Sequence, residues 1–339
     1  MLSLIILSTL SMLIFYTLFY TYMKVALKKN YVDTPKNISV HDNVVPTGSG
    51  IVIVICLTLY YFTLKSNFFI ESGLLNYPNR DYLLIFSILI LGFINFYDDI
   101  KEVHPIYRLT AHFFLVMLSL PLFSFLGFEY YNYIPQKILI IFIVFLWVYL
   151  INIYNFIDGS NGYLTINAIS SFIIFFLNYY EKGLFNFNLY ISFFMILILL
   201  VYFLFNFPKA KLFMGDSGSI IIGYLIGYLF FVTLLDGYVA IAFAMICYPV
   251  MDVSFSILRK VINGHYPWER LFDYFFLRAL KGKNYNHKKI FLISLLYNLI
   301  NLLIIFAIIK FQYNILILAT IFCSSLKLIL FNSFSKIRP

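Results

Sequence analysis

Apolar runs long enough to cross a bilayer recur from one end of this chain to the other, and that pattern decides its architecture. An α-helix of about 20 apolar residues spans the hydrocarbon core. By that measure the 339 residues read as about eleven spans: 2–23, 48–64, 82–96, 109–128, 138–156, 164–180, 189–207, 218–235, 239–258, 290–309 and 315–331. The run 82–96 is short and extends into its flanks. With 62% hydrophobic and 12% charged residues, no stretch remains for a separate soluble domain. The expectation is an all-α, polytopic integral membrane protein, a single membrane-embedded unit over residues 1–339. The first run lacks a basic n-region and a small-residue cleavage site, so it reads as a retained span. Cys56, Cys247 and Cys323 lie inside apolar runs without pairing or ligand spacing, which suits core positions.

Orientation follows from Lys and Arg. The first, third, seventh and ninth connections hold Lys24, Lys28, Lys29 and Lys36; Lys101 and Arg108; Lys209 and Lys211; and eight basic residues from Arg259 to Lys289. The even connections hold only Lys65, Arg80, Lys137, Lys182 and Lys310. The positive-inside rule then places odd connections in the cytoplasm, the N-terminus outside and the C-terminus inside. A net charge of +9 gathered on that face suits anionic lipid head groups or a polyphosphate substrate, and nucleic acid is not an expected partner.

The same assignment, made from charge alone, collects every polar motif on one face. Carboxylates near hydrocarbon mark functional sites by default. Asp98-Asp99 follow the span 82–96, where a helix C-terminus disfavours two adjacent acids unless a cation compensates; a solvated turn is the plain reading. Asn152, Asn155 and Asp158 recur at three-residue spacing along one face of a helix end and lead into Gly159-Ser160-Asn161-Gly162. Interhelical bonding alone accounts for Asn152. It accounts less well for the acid and the glycines, which suit a ligand close to backbone. Gly215-Asp216-Ser217-Gly218-Ser219 opens the next span. It reads as an N-cap, or as a phosphate-binding helix N-terminus whose Asp holds magnesium, with Phe213 placed to stack on a base. Asp33-Thr34-Pro35, His41 and Pro46-Thr47-Gly48-Ser49-Gly50 occupy the first connection.

Taken in this order, the segments resemble the polyprenyl-phosphate N-acetylhexosamine-1-phosphate transferases, a membrane family that starts peptidoglycan, O-antigen, capsule and teichoic-acid synthesis. Its Asp-x-Pro…His…Pro-Thr-x-Gly-Gly resembles residues 33–50, and its Asp-Asp pair Asp98-Asp99. Its Asn-x-x-Asn-x-x-Asp-Gly-x-x-Gly resembles Asn152 to Gly162, and its Phe-Met-Gly-Asp-x-Gly-Ser resembles Phe213 to Ser219. A membrane Asp before a basic pair looks like Asp252 with Arg259-Lys260. One departure stands out. After Gly264-His265-Tyr266-Pro267-Trp268 the family carries a histidine cluster, where this chain has Asp273-Tyr274-Phe275-Phe276. The similarity there is closer to the O-antigen branch.

The resemblance implies transfer of a sugar 1-phosphate from a UDP-N-acetylhexosamine to polyprenyl (undecaprenyl) phosphate with release of UMP, at the cytoplasmic face of the inner membrane. It implies Mg²⁺, with Mn²⁺ as a substitute, and leaves a homodimer open. The active site would be formed by loops 24–47, 97–108, 157–163, 208–217 and 259–289. Asp216 is the first expected metal ligand, with Asp98 and Asp99 binding metal or taking a proton. Asp158, catalytic with Asp98, Asp99 and Asp216, would together with Asn155 hold the nucleotide or order the site, and Asn152, Thr47, Gly48 and Phe213 would bind substrate. Arg259, Lys260 and Arg270 would contact sugar or phosphate. Two other enzyme-free readings compete: a transporter, which predicts acids near mid-membrane and on both sides, and an inactive family member. A CDP-alcohol phosphotransferase is a further rival, but its Asp-Gly-x-x-Ala-Arg repeats are not found.

Overall fold

The computed structural model describes residues 2–35, 43–64, 81–123, 136–266, 269, 273–281 and 286–335. The chain is helical almost throughout: α1 Leu2–Lys29, α2 Gly50–Leu64, α3 Asp81–Ile100, α4 Pro105–Ser119, α5 Gln136–Phe156, α6 Tyr163–Glu181, α7 Phe187–Asn206, α8 Asp216–Leu235, α9 Val239–Ile262, α10 Phe275–Leu280, α11 His287–Phe311 and α12 Ile317–Ser335. The described strands are two residues each, β1 Val32–Asp33 and β2 Val45–Pro46, paired antiparallel in the first connection. Among the described residues ten helices are long and apolar enough to cross a membrane, and α2 is a shorter apolar helix. That is the expected all-α polytopic architecture.

The differences lie at helix ends. Helix α3 runs on through Asp98 and Asp99 to Ile100, so the acid pair forms its last turn instead of following it. Helix α8 starts at Asp216, two residues before the apolar run. Both helices extend because their charged ends find partners on each other, which hydropathy does not record. The short helix α10 was not foreseen; its six residues carry too little pattern.

Helix α8 is the axis of the bundle: every residue from Ser217 to Phe231 is buried. Lipid tails give apolar helices no reason to associate, so close backbone approach by small residues supplies the packing. Three glycines of α8 do this. A Cβ on Gly223 would stand 2.8 Å from the Ile151 Cα, and one on Gly227 would stand 2.4 Å from the Trp147 ring. At Gly218 the α2 backbone itself comes in, since a Cβ on Gly50 would lie 2.0 Å from the Gly218 nitrogen. No rotamer relieves a clash with backbone. Gly50→Ala should therefore destabilise the detergent-solubilised protein by roughly 3 kcal/mol, the upper part of the usual overpacking range. Thermal unfolding measures it, and an unchanged midpoint would mean that α2 and α8 do not touch this closely.

The two ends of the bundle collect different connections. At one end the first connection meets the seventh through Phe213 N–H to Pro46 O (2.8 Å), and the fifth meets the seventh through Gly162 N–H to Asn206 Oδ1 (2.6 Å). At the other end, the loops after α6, α8 and α11 come together around Lys182, Tyr238 and Gln312. The first, fifth and seventh connections thus share one end of the bundle and the sixth, eighth and tenth the other; nearly all of the second and fourth lies outside the described residues.

Candidate functional site

The site is built around the N-terminus of α8. Its first free N–H groups need an acceptor, and the residue before it, Gly215, has no side chain to offer. Asp99 of α3 supplies the cap instead: Oδ1 accepts from Asp216 N–H (2.8 Å) and Oδ2 from Ser217 N–H (3.1 Å). Gly215 makes room for it. At φ 75° it occupies the left-handed region, and a Cβ there would lie 2.4 Å from Asp99 Oδ2. The glycine is fixed twice over, by backbone conformation and by the carboxylate in contact. Asp99 thus engages both oxygens with backbone, a different task from the ligand or base expected of it.

With Asp99 as the cap, the Asp216 carboxylate is released from capping and faces Asp98. Arg108, on the second turn of α4, stands between them: one guanidinium nitrogen, Nη1, donates to Asp98 Oδ2 and to Asp216 Oδ2. Asp98 also accepts from Val103 N–H (2.7 Å), which folds the third connection back onto α3. Arg108 was read only as an orientation signal. The clue in the sequence was the pair of adjacent acids that lacked a cation.

Asn155 reaches α8 directly, its Nδ2 donating to Ser219 Oγ (3.3 Å). Asn152 turns to its own helix and bonds Val148 O (2.8 Å). Asp158 follows the end of α5 and accepts no side-chain hydrogen bond among the described residues. It sits in a crevice with protein on most sides while its own surface is exposed. Burial, and secondly the Asp216 carboxylate, push its carboxyl up to about 7; solvent in the crevice moderates that rise. The loop beyond it is held by His287 at the start of α11. The ring Nδ1 accepts from Asn161 N–H (3.2 Å) and Ser160 Oγ (2.9 Å), so the other ring nitrogen carries the proton when the ring is neutral.

The first connection lies against the same helix end. Ser49 N–H and Gly50 N–H donate to Phe213 O (3.3 Å) and Met214 O (2.9 Å). Thr47 O accepts from Tyr22 OH (2.7 Å), and buried Gly48 lies against Tyr22 and Phe96. Phe213 is half-buried at this junction. Of the expected cations, Arg259 is half-buried near the end of α9. Lys260 is buried and donates to Glu269 O (3.0 Å), so it holds the ninth connection instead of facing a phosphate. Arg270 and His41 lie outside the described residues.

Two carboxylate oxygens, from Asp98 and Asp216, converge on one point that a cation already occupies. Hard oxygen donors from one or two carboxylates, with substrate phosphates completing the shell, are what magnesium takes. The donor chemistry of Asp216 and Asp98 fits such an ion, at the point where the Arg108 guanidinium stands. Asp99 is committed to the α8 backbone. Among the described residues no cluster of three or more His, Cys, Asp or Glu side chains forms a ready-made cage.

Helical spans closed at one end by an acidic, glycine-flanked helix N-terminus define a multi-pass membrane protein. Residues 82–234, from α3 almost to the end of α8 and including all four aspartates, match glycosyl transferase family 4. The "Probable undecaprenyl-phosphate N-acetylglucosaminyl 1-phosphate transferase" of Bacillus subtilis is 25% identical over 262 residues, 71% of this chain and 67% of that protein. Phospho-N-acetylmuramoyl-pentapeptide-transferases of Leuconostoc citreum and Staphylococcus saprophyticus are 28% and 29% identical, over 54% and 52% of this chain. The chain spans 57% and 59% of the length of those two relatives.

Proposed function

We propose that this protein transfers an N-acetylhexosamine 1-phosphate from a UDP-sugar to undecaprenyl phosphate, releasing UMP and starting a cell-surface glycan at the cytoplasmic face of the cell membrane. The observation that carries the reading is the convergence of Asp98, Asp99 and Asp216 with Arg108 at one helix N-terminus, with Asp158 facing it. In the reaction an oxygen of the lipid phosphate attacks the phosphorus that bears the sugar. That bond forms as the bond to the UMP oxygen breaks, and UMP leaves with the electron pair. Two polyanions must meet, so the work left to the protein is positioning and charge compensation.

The α8 N-terminus gives its first N–H groups to Asp99 and not to a phosphate, so charge compensation falls to a cation beside it. Asp98 and Asp216 would hold Mg²⁺, which supplies neutralisation of charge on the pyrophosphate. Asn155 and the Asp158–Gly162 loop, together with Thr47, Gly48 and Phe213 at the same helix end, would hold the nucleotide. The direct test is UMP release from UDP-N-acetylhexosamines by purified protein with undecaprenyl phosphate and Mg²⁺. Release that needs both the lipid phosphate and one sugar nucleotide is expected; none with any UDP-sugar would remove the reading and leave a non-catalytic family member.

Asp158 gives the reading a pH signature. Its carboxyl is raised by burial, so it is protonated below about 7 and charged above. If the charged form holds substrate, kcat/KM should climb as pH rises from about 6 to 8, and Asp158→Asn should flatten that limb. The stability sign is opposite. The folded state binds the proton more tightly than the unfolded chain, so Asp158 subtracts stability as pH rises from its unfolded value toward about 7. A rate limb unchanged by Asp158→Asn would assign the ionisation elsewhere.

A further inference from the structure

The last helix lies beyond the matched family region, yet it carries a lysine that the apolar pattern does not explain. Lys327 of α12 is buried, at 4% exposure, and its Nζ has no hydrogen-bond partner among the described residues. An unpaired ammonium in a membrane helix is costly, so something must compensate it. Aromatic faces do so. Nζ lies 3.5 Å from the centroid of the Tyr248 ring, 4.7 Å from that of Tyr297 and 5.3 Å from that of Tyr163.

Two of those tyrosines carry the compensation onward. Tyr248 OH (2.8 Å) and Tyr163 OH (3.4 Å) both donate to Oδ2 of Asp252, a carboxylate of α9 with no exposed surface. A phenol that donates to a carboxylate gains electron density in its ring, which favours a cation on its face. Lys327 and Asp252 thus attract one another across the tyrosines. The other oxygen, Oδ1, accepts from Phe275 N–H (2.9 Å) at the start of α10. Helix α10 in turn packs on the aspartate loop. Phe276 stacks on Tyr163 at 4.2 Å between ring centroids, and a Cβ at Gly159 would lie 3.0 Å from Leu277 Cδ2.

We infer that Lys327 is a positioning residue: through Tyr248, Tyr163 and Asp252 it holds α10 against Gly159, and so fixes the loop that carries Asp158. This stretch stands where the family's histidine cluster is expected. The claim about placement stands on geometry alone; its effect on catalysis rests on the reaction proposed above.

The test separates the two. Cysteines at positions 159 and 277, in a chain whose own three cysteines are replaced, report contact between α10 and the loop by oxidative cross-linking, with no substrate present. Lys327→Met and Asp252→Asn should each slow cross-linking by about tenfold, because each strands the opposite buried charge. The double variant, free of both charges, should cross-link faster than either single one, and Lys327→Arg should keep a cation and much of the wild-type rate. In single-cysteine-free protein the same variants should raise KM for the UDP-sugar more than KM for the lipid phosphate. Wild-type cross-linking in Lys327→Met, or a double variant no better than the worse single one, overturns the inference. Should a single variant fail to fold, a double variant that folds and cross-links supports the pairing, and one that also fails to fold overturns it. If wild type releases no UMP, the reaction is wrong while the cross-linking still decides the placement.

Discussion

Asp216→Asn should leave a folded protein that has lost UMP release by about a thousandfold or more, some 4 kcal/mol of transition-state stabilisation. The reason lies in which carboxylate does which job. If Asp216 capped its own helix, a loss of rate could be a loss of structure. The cap belongs to Asp99, which bonds the Asp216 and Ser217 backbone N–H groups, and a change at the Asp216 side chain leaves those donors in place. The substitution removes one charge facing Arg108 and one acceptor for a divalent ion. Its thermal midpoint should stay near wild type, while activity across a magnesium titration should not recover. Ser217→Ala, whose hydroxyl makes a 3.4 Å contact to Met214 O, should be mild. Near-normal turnover by Asp216→Asn would move the metal to Asp98 or Asp158 and leave Asp216 as a counter-charge for Arg108.

That division of labour shows where the sequence was legible. The helical, polytopic architecture was, because transfer of about 20 apolar residues is a local sum that each run carries within itself. Helix ends were not. Asp98 and Asp99 look like a stop after 82–96, and they are helical because Asp99 caps α8 and Asp98 meets Arg108. Those partners are 117 and 10 residues away. Helix α10 has only six residues and depends on Asp252 for its first N–H.

The motifs were legible as a set, and the structure brings Asp98, Asp99, Asn155 and Asp216 to one end of the bundle. Roles within the set were less so. Arg108 sits ten residues from Asp98 in a connection already explained by orientation, so nothing in its neighbourhood asked for a second task. Lys327 lies within the run 315–331, where one basic residue hardly lowers the apolar sum; its aromatic cage is assembled from α6, α9, α11 and α12. Lys260, paired with Arg259 by sequence, proves to hold the Glu269 carbonyl. In each instance the residue type gave the chemistry and a distant segment gave the assignment.

Arg108→Gln puts the cation question to the site directly. The guanidinium joins Asp98 on α3 to Asp216 on α8, with side chains 15%, 11% and 33% exposed respectively for Arg108, Asp98 and Asp216. Removing it leaves two facing carboxylates, with a third on the adjoining backbone, and no cation between them. Breaking a fully buried pair costs about 3–5 kcal/mol; partial exposure of Asp216 brings the expectation to about 2–3 kcal/mol, read as a lower thermal midpoint in magnesium-free detergent. Magnesium should then rescue the variant more than it stabilises wild type. In wild type the ion must displace the guanidinium, whereas in Arg108→Gln the carboxylates already want a cation. The apparent Mg²⁺ affinity from thermal shifts should tighten accordingly, since stabilisation follows the ratio of free ion to Kd. Adding Asp216→Asn to Arg108→Gln should abolish that rescue. Equal magnesium effects in wild type and Arg108→Gln would mean that the ion binds away from Asp98 and Asp216, and that the arginine is the permanent counter-charge of this site.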